Sequence, residues 1–221
     1  MFLNSFNQFR AIAILIIVAG HCFNLVGISS DSLLNATLIN LISGSTALFV
    51  FISGFLFHYV FYKKYEYRNF VSKKIFNVLI PYFLLGFVPL LLHVSERMDQ
   101  SLLETISNPG LIIENLVAPI VRNYVTGRFL TAYWYIPFIM TTFLLSPLHI
   151  KFIRINWSAQ LFIVGVLSCI AIFMHRPMWN VNVLQSVVYY APIYLIGIMA
   201  SIYKDVVYKS LETKDFLLLA G

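Results

Sequence analysis

"FNQFRAIAILIIVAGHCFNLVGI", residues 6–28, is apolar for the length a helix needs to cross a bilayer, yet it carries Arg10 near one end and His21 deep inside. It is too long for the apolar region of a signal peptide and lacks a small-residue cleavage pattern, so it reads as a retained helix. The rest of the chain is of the same kind. Of its 221 residues 60% are hydrophobic and 11% charged, and the mean hydropathy is +0.83. Soluble domains carry about 25% charged residues, so this composition points to a polytopic membrane protein.

Apolar runs at about residues 8–27, 36–61, 75–94, 132–150, 158–175 and 186–203 approach or exceed the span length. A seventh begins near Phe216 and is cut short at Gly221, which suggests the front part of a longer bundle. Backbone in lipid must satisfy its own hydrogen bonds, and the runs lack the alternation of a barrel. The expected fold is therefore all-α, a transmembrane bundle of about six to seven spans forming one domain, residues 1–221. Lys63, Lys64, Arg68, Lys73 and Lys74 against Glu66 alone place the segment after the second run in the cytoplasm, and the N-terminus with it. The net charge of +6 follows this asymmetry. It reads as a topology signal directed at anionic lipid, not as a nucleic-acid surface.

Arg10 and His21 stand eleven positions apart. At about 100° per residue that is within roughly 20° of three full turns, so they share a face with Ile14 and Ile17, separated by a rise of roughly 16 Å. Arg10 then lies at the interface and His21 past the membrane midpoint. A charge at that depth costs at least about 2.5 kcal/mol, so the imidazole is expected neutral, able to act as a base. Two plainer readings stay open: Arg10 as a snorkelling anchor, and His21 as a cross-helix hydrogen-bond partner.

Other polar residues in the runs have structural readings. Ser53 beside Gly54 fits close helix packing better than a nucleophile, and His58, His93 and His149 fall near span ends. Cys22 and Cys169 read as apolar packing residues without a disulfide framework. No histidine pair has metal-ligand spacing, so no metal is expected. Residues 95–131 form the largest extracytoplasmic link, whose front portion is expected to lie on the membrane as an amphipathic helix. Arg122, Tyr124, Arg128, Tyr133 and Trp134 offer a cationic and aromatic shelf for a sugar, with Arg128 and Trp134 the leading acceptor-binding candidates; ordinary interfacial anchoring is the competing reading.

"NQFRAIAILIIVAGH", residues 7–21, resembles the first-helix motif of the membrane acyltransferase 3 family, in which a basic residue precedes histidine by the spacing of Arg10 and His21. "LFVFISGFLF" (48–57) resembles that family's second-helix Ser-Gly-Phe stretch, "FVSKKIFNVLIPYF" (70–83) its basic run into Ile-Pro-Tyr, and "YWYIPFIMTTFLLSPL" (133–148) its Trp-containing helix. The resemblance implies an inner-membrane bundle of roughly ten spans that moves an acyl group, usually acetyl, from cytoplasmic acyl-CoA to a hydroxyl of a cell-surface carbohydrate. It implies donor phosphates held by Arg10, Lys73 and Lys74, with His21 as base or transient acyl carrier. The chain departs from the family at Asn7, where aspartate is frequent, at Ala11, where glycine is usual, and at Lys74 and Asn77, where two arginines are common. A lysine at Lys74 gives up the bidentate fork. The alternatives are an exporter of polysaccharide intermediates, for which paired broken helices or repeats are expected and none is visible in the sequence, and a non-catalytic, truncated membrane component.

Overall fold

Runs of apolar residues leave the backbone no partner in lipid except itself, and the described residues are almost all helical. The computed structural model describes residues 2–26, 32–96, 106–130, 133–174, 182–206 and 209. In chain order the helices are α1 (Phe2–Val26), α2 (Leu33–Ser43), α3 (Ser45–Leu56), α4 (Tyr67–Lys74), α5 (Ile80–Ser95), α6 (Ala118–Thr126), α7 (Tyr135–Leu144), α8 (Ser146–Arg154), α9 (Trp157–Phe173) and α10 (Val183–Ile202). There is no strand among the described residues. The all-helical class read from the sequence is the class observed.

Wider π turns join several of these pieces. Ile75–Leu79 links α4 to α5, so that Tyr67–Ser95 runs on as one helix of 29 residues. A second π turn, Ile112–Val117, leads into α6. Both precede a proline, Pro81 and Pro119, that sits at the start of the following helix. Proline has no N–H to give and its ring collides with the carbonyl four residues back, and a wider turn relieves that clash.

Thr46–Lys64, Tyr67–Ser95 and Val183–Ile202 are long and apolar enough to cross a membrane, and α7 with α8 makes a fourth if the bent pair is one span. Asn7–Gly20 and Trp157–Phe173 are shorter apolar helices. Two expected spans are interrupted. The second breaks at Gly44, between α2 and α3, where glycine's low helix propensity favours an end. The fourth bends by 55° between α7 and α8, with Pro147 just inside the new helix. The sequence shows no paired broken helices, and the structure has one bent pair here. The segment beginning near Phe216 lies outside the described residues.

The chain divides into two compact units. The first comprises Met1–Lys63, Ile155–Val164 and Tyr190–Gly221, the second Lys64–Arg154 and Gly165–Tyr189. In the first, α1 packs on α2 and α3, and α3 crosses α10 at two glycines. A Cβ on Gly54 would overlap the carbonyl oxygen of Tyr194, and one on Gly197 the carbonyl oxygen of Phe51. Small residues allow this approach, as the "SGF" stretch suggested. In the second unit the core gathers Tyr82, Leu90, Val94 and Phe129, with Leu116, Ile120, Tyr124, Tyr133 and Ile136 packed around them.

Candidate functional site

The first unit carries the Arg10 and His21 pair. Because α1 is helical without interruption from Phe2 to Val26, the eleven-residue spacing holds as a shared face. The packed side of α1 is set by small residues: Ala13 is fully buried, and Gly20 lies against Ile42, whose Cγ2 would stand 2.8 Å from an added Cβ. Phe9 meets Phe51 edge-on at 6.2 Å, holding α1 to α3. Arg10 and Ile14 are exposed and Ile17 is half-buried. At 100° per residue Arg10, Ile14 and Ile17 therefore border the packed face instead of lying within it. The side chain of His21 is outside the described residues.

Where α3 and α10 end, the same unit assembles a polar cluster with no local sequence signature. His58 lies in the π turn Phe57–Phe61 that extends α3. Its Nδ1 is 2.9 Å from the hydroxyl of Ser201, which is buried, and its ring lies 5.2 Å from that of Tyr62. Nearby in sequence, Tyr203 donates its hydroxyl to the buried Gln160 at 3.0 Å and its ring meets that of Trp157 in a T-shaped contact with centres 4.5 Å apart. Lys204 pairs with Asp205 at 2.8 Å and lies 6.0 Å from the ring centre of Tyr59.

In the second unit, the two lysines expected to meet donor phosphates have different surroundings. Lys73 is exposed. Lys74 is half-buried, its ammonium 4.7 Å from the ring centre of Phe143 and 5.4 Å from that of Phe70, and cation–π attraction holds it there. Asn77 is exposed. Beside this pair the Tyr65 hydroxyl lies 2.8 Å from the buried Ser146, and His149 is buried one turn further on.

The expected aromatic shelf takes another form. Residues 106–107 and 109–126 are helical, and α6 packs along α5. The Tyr82 hydroxyl donates to the Tyr124 carbonyl at 2.7 Å, and the Tyr124 hydroxyl to the Phe83 carbonyl at 2.9 Å. Tyr124 and Tyr133 thus belong to the packed cluster around Tyr82, with ring centres 5.6 and 5.5 Å from it. Tyr82 is not singled out in the sequence; its signal is the "IPYF" run, which enters only as part of a span and of the family resemblance. Arg122 and Arg128 are exposed. Trp134 is half-buried against Tyr135 and Phe138, both at 6.2 Å.

Cys22 and Cys169 are free thiols and exposed, not packing residues as expected, because each falls on a face its helix does not bury. Among the described residues no group of three or more His, Cys, Asp or Glu is placed to hold a metal. A family model described as an acyltransferase domain matches residues 3–220. No curated protein and no solved structure matches the chain.

Proposed function

Because the chain belongs to the acyltransferase-domain family, we propose that this multi-pass membrane protein transfers an acetyl group from acetyl-CoA to a hydroxyl of an envelope carbohydrate. The observation that carries the proposal is the continuity of α1, which keeps Arg10 and His21 on one stripe, a rise of roughly 16 Å apart. Arg10 presents a planar, permanently charged fork at the interfacial end of that stripe, suited to a CoA phosphate. Ile14 and Ile17 give the acyl-bearing arm an apolar track toward His21.

A neutral imidazole at His21 removes the proton of the acceptor hydroxyl as its oxygen attacks the thioester carbonyl; the C–S bond breaks, and the CoA thiolate takes up the proton. In the covalent variant the imidazole nitrogen attacks the thioester carbonyl, the C–S bond breaks and the CoA thiolate takes up the ring N–H proton; the acceptor oxygen then attacks the acyl-imidazole, the C–N bond breaks, and the hydroxyl proton passes to the freed imidazole. Lys73 and Lys74 of the second unit are proposed as an attraction for donor phosphates in their own right, and Arg128 and Trp134 as acceptor contacts. The protein is proposed to lie in a bacterial inner membrane with its N-terminus in the cytoplasm.

The test is the O-acetyl content of surface carbohydrate in cells carrying the chain, a His21→Ala variant at equal membrane abundance, or neither. Acetylation that appears with the native chain and vanishes with the variant is the expected result. Equal acetylation by both removes His21 from the chemistry. Purified protein given acetyl-CoA without acceptor separates the two mechanisms: a hydroxylamine-labile acetyl adduct on His21 identifies the carrier, and its absence with turnover intact identifies the base.

A further inference from the structure

In the first unit the contacts of α1, α3 and α10 fix the level of each helix against the others. α1 runs opposite to α3: Phe9 meets Phe51, while Gly20 lies against Ile42, further back in the chain. α3 and α10 run the same way: Gly197 abuts the backbone of Phe51 and Phe55, and Ser201, one turn on, meets His58. Arg10 is therefore about level with Phe51. His58 stands seven residues beyond Phe51, a rise of about 10 Å, and at 100° per residue it returns to the same face of α3 within about 20°. In the opposite direction, His21 stands eleven residues beyond Arg10 on α1, a rise of roughly 16 Å.

The His58 level gathers positive charge from two helices. Lys63, at the end of α3, and Lys204, just past α10, both lie close enough to His58 to act on it electrostatically. Lys63 is exposed. Lys204 lies over the ring of Tyr59 and pairs with Asp205, which is 82% exposed. With the Ser201 hydroxyl donating to Nδ1 of His58, the imidazole carries its proton on Nε2, where it is a further donor. Two ammonium groups and an imidazole donor, set against one exposed carboxylate, suit an oxyanion.

These levels match the donor of the acyl-transfer reading. The arm from the pyrophosphate of CoA to its sulfur has about twelve main-chain bonds, the reach of about four extended residues or about 14 Å. That is close to the rise from Arg10 to His21. On the other side of the pyrophosphate the ribose carries a 3′-phosphate about six to eight bonds away, about 7–9 Å. That is close to the step from Arg10 to the level of His58. The three stations follow one another in the order in which CoA carries its 3′-phosphate, its pyrophosphate and its thioester.

We infer that His58, Lys63 and Lys204 form a second phosphate site, which takes the 3′-phosphate of the CoA donor while Arg10 takes its pyrophosphate. The chemistry is that of a phosphomonoester, which the headgroup of phosphatidic acid shares; the spacing to Arg10 and His21 selects the nucleotide. The site rests on the acyl-CoA reading and adds a specificity to it, for CoA over carriers that lack the 3′-phosphate.

The experiment measures binding of CoA and of 3′-dephospho-CoA to the purified full chain in phosphatidylcholine nanodiscs. The native protein is compared with Lys63→Gln, Lys63→Gln with Lys204→Gln, and Arg10→Ala. The native chain is expected to bind CoA about ten-fold or more tightly than 3′-dephospho-CoA, the worth of a charge-assisted hydrogen bond. The double lysine variant brings the two near equality by weakening CoA alone, and its unchanged hold on 3′-dephospho-CoA shows that it is folded. Lys63→Gln alone, at an exposed position, gives an intermediate ratio. Arg10→Ala weakens both nucleotides and keeps their ratio. Equal binding of the two by the native chain overturns the assignment, and a spin-labelled phosphatidic acid released by the double variant then identifies a headgroup as the occupant. A ratio that survives loss of both lysines also overturns it. A native chain that binds neither nucleotide overturns the acyl-CoA reading itself, an outcome distinct from loss of this site alone, in which 3′-dephospho-CoA still binds.

Discussion

Tyr82 and Tyr124 are bound to each other's helices in both directions: the Tyr82 hydroxyl donates to the Tyr124 carbonyl at 2.7 Å, and the Tyr124 hydroxyl donates to the Phe83 carbonyl at 2.9 Å. Each bond satisfies a carbonyl by a side chain 40 or so residues away. Tyr82→Phe keeps the ring packing and removes one donor, so a loss of about 0.5–1.5 kcal/mol is expected. Thermal unfolding in detergent, compared with Tyr124→Phe and the double variant, measures it. A double variant no less stable than the native chain shows that neither bond contributes.

The glycine crossing gives a sharper effect. Gly54→Ala or Gly197→Ala drives a methyl into the facing backbone, which has no rotamer to yield, so α3 and α10 must separate. Each single variant is expected to fall well below native membrane abundance. Once the first methyl has parted the helices the second costs less, so the pair is expected to be markedly less than additive. Full additivity counts against one shared crossing.

His58 and the buried Ser201 form a part-buried polar contact whose partners are far apart in the chain. Ser201→Ala leaves the imidazole to find another partner, and His58→Phe leaves a buried hydroxyl unmet. A double-mutant cycle on unfolding temperature should give a coupling of about 0.5–2 kcal/mol. A coupling of zero means that the contact is dispensable.

Lys74 and Lys73 separate packing from ligand attraction. Lys74→Met keeps the stem between Phe70 and Phe143 and gives up the cation–π attraction, a stability loss of about 0.5–2 kcal/mol. Lys73, exposed, is expected to leave stability unchanged when mutated to Ala and to raise the KM for acyl-CoA, more at low salt than at high salt. An unchanged KM at both salt concentrations removes Lys73 from donor attraction.

Arg10→Ala is expected to raise the KM for acyl-CoA about ten-fold or more while the rate at saturation changes less, since a lost charge-assisted hydrogen bond is worth about 1.5–3 kcal/mol. Arg10→Lys, which keeps charge but not the fork, should fall between. Steady-state kinetics over a range of donor concentrations decides; equal KM values for all three leave Arg10 as a headgroup anchor.

Hydropathy alone determined the all-α class, because apolar run length and backbone hydrogen bonding in lipid admit little else. The Arg10 and His21 stripe was legible for the same reason: within one helix, spacing fixes the face. Gly54 was legible too, since a small residue in an apolar run signals close approach. What the tertiary structure decided lies between helices. Residues 95–131 carry polar residues and turn signals, so in sequence they read as a link outside the bilayer; the contacts of Tyr124 with Tyr82 and of Phe129 with Gly86 place α6 and Phe129 against α5. Lys74 reads as a free cation until Phe143 is seen against it, and His58 as an interfacial ring until Ser201 is. These contacts join residues tens to more than a hundred positions apart, and local periodicity carries no record of which distant side chain will satisfy a buried polar group.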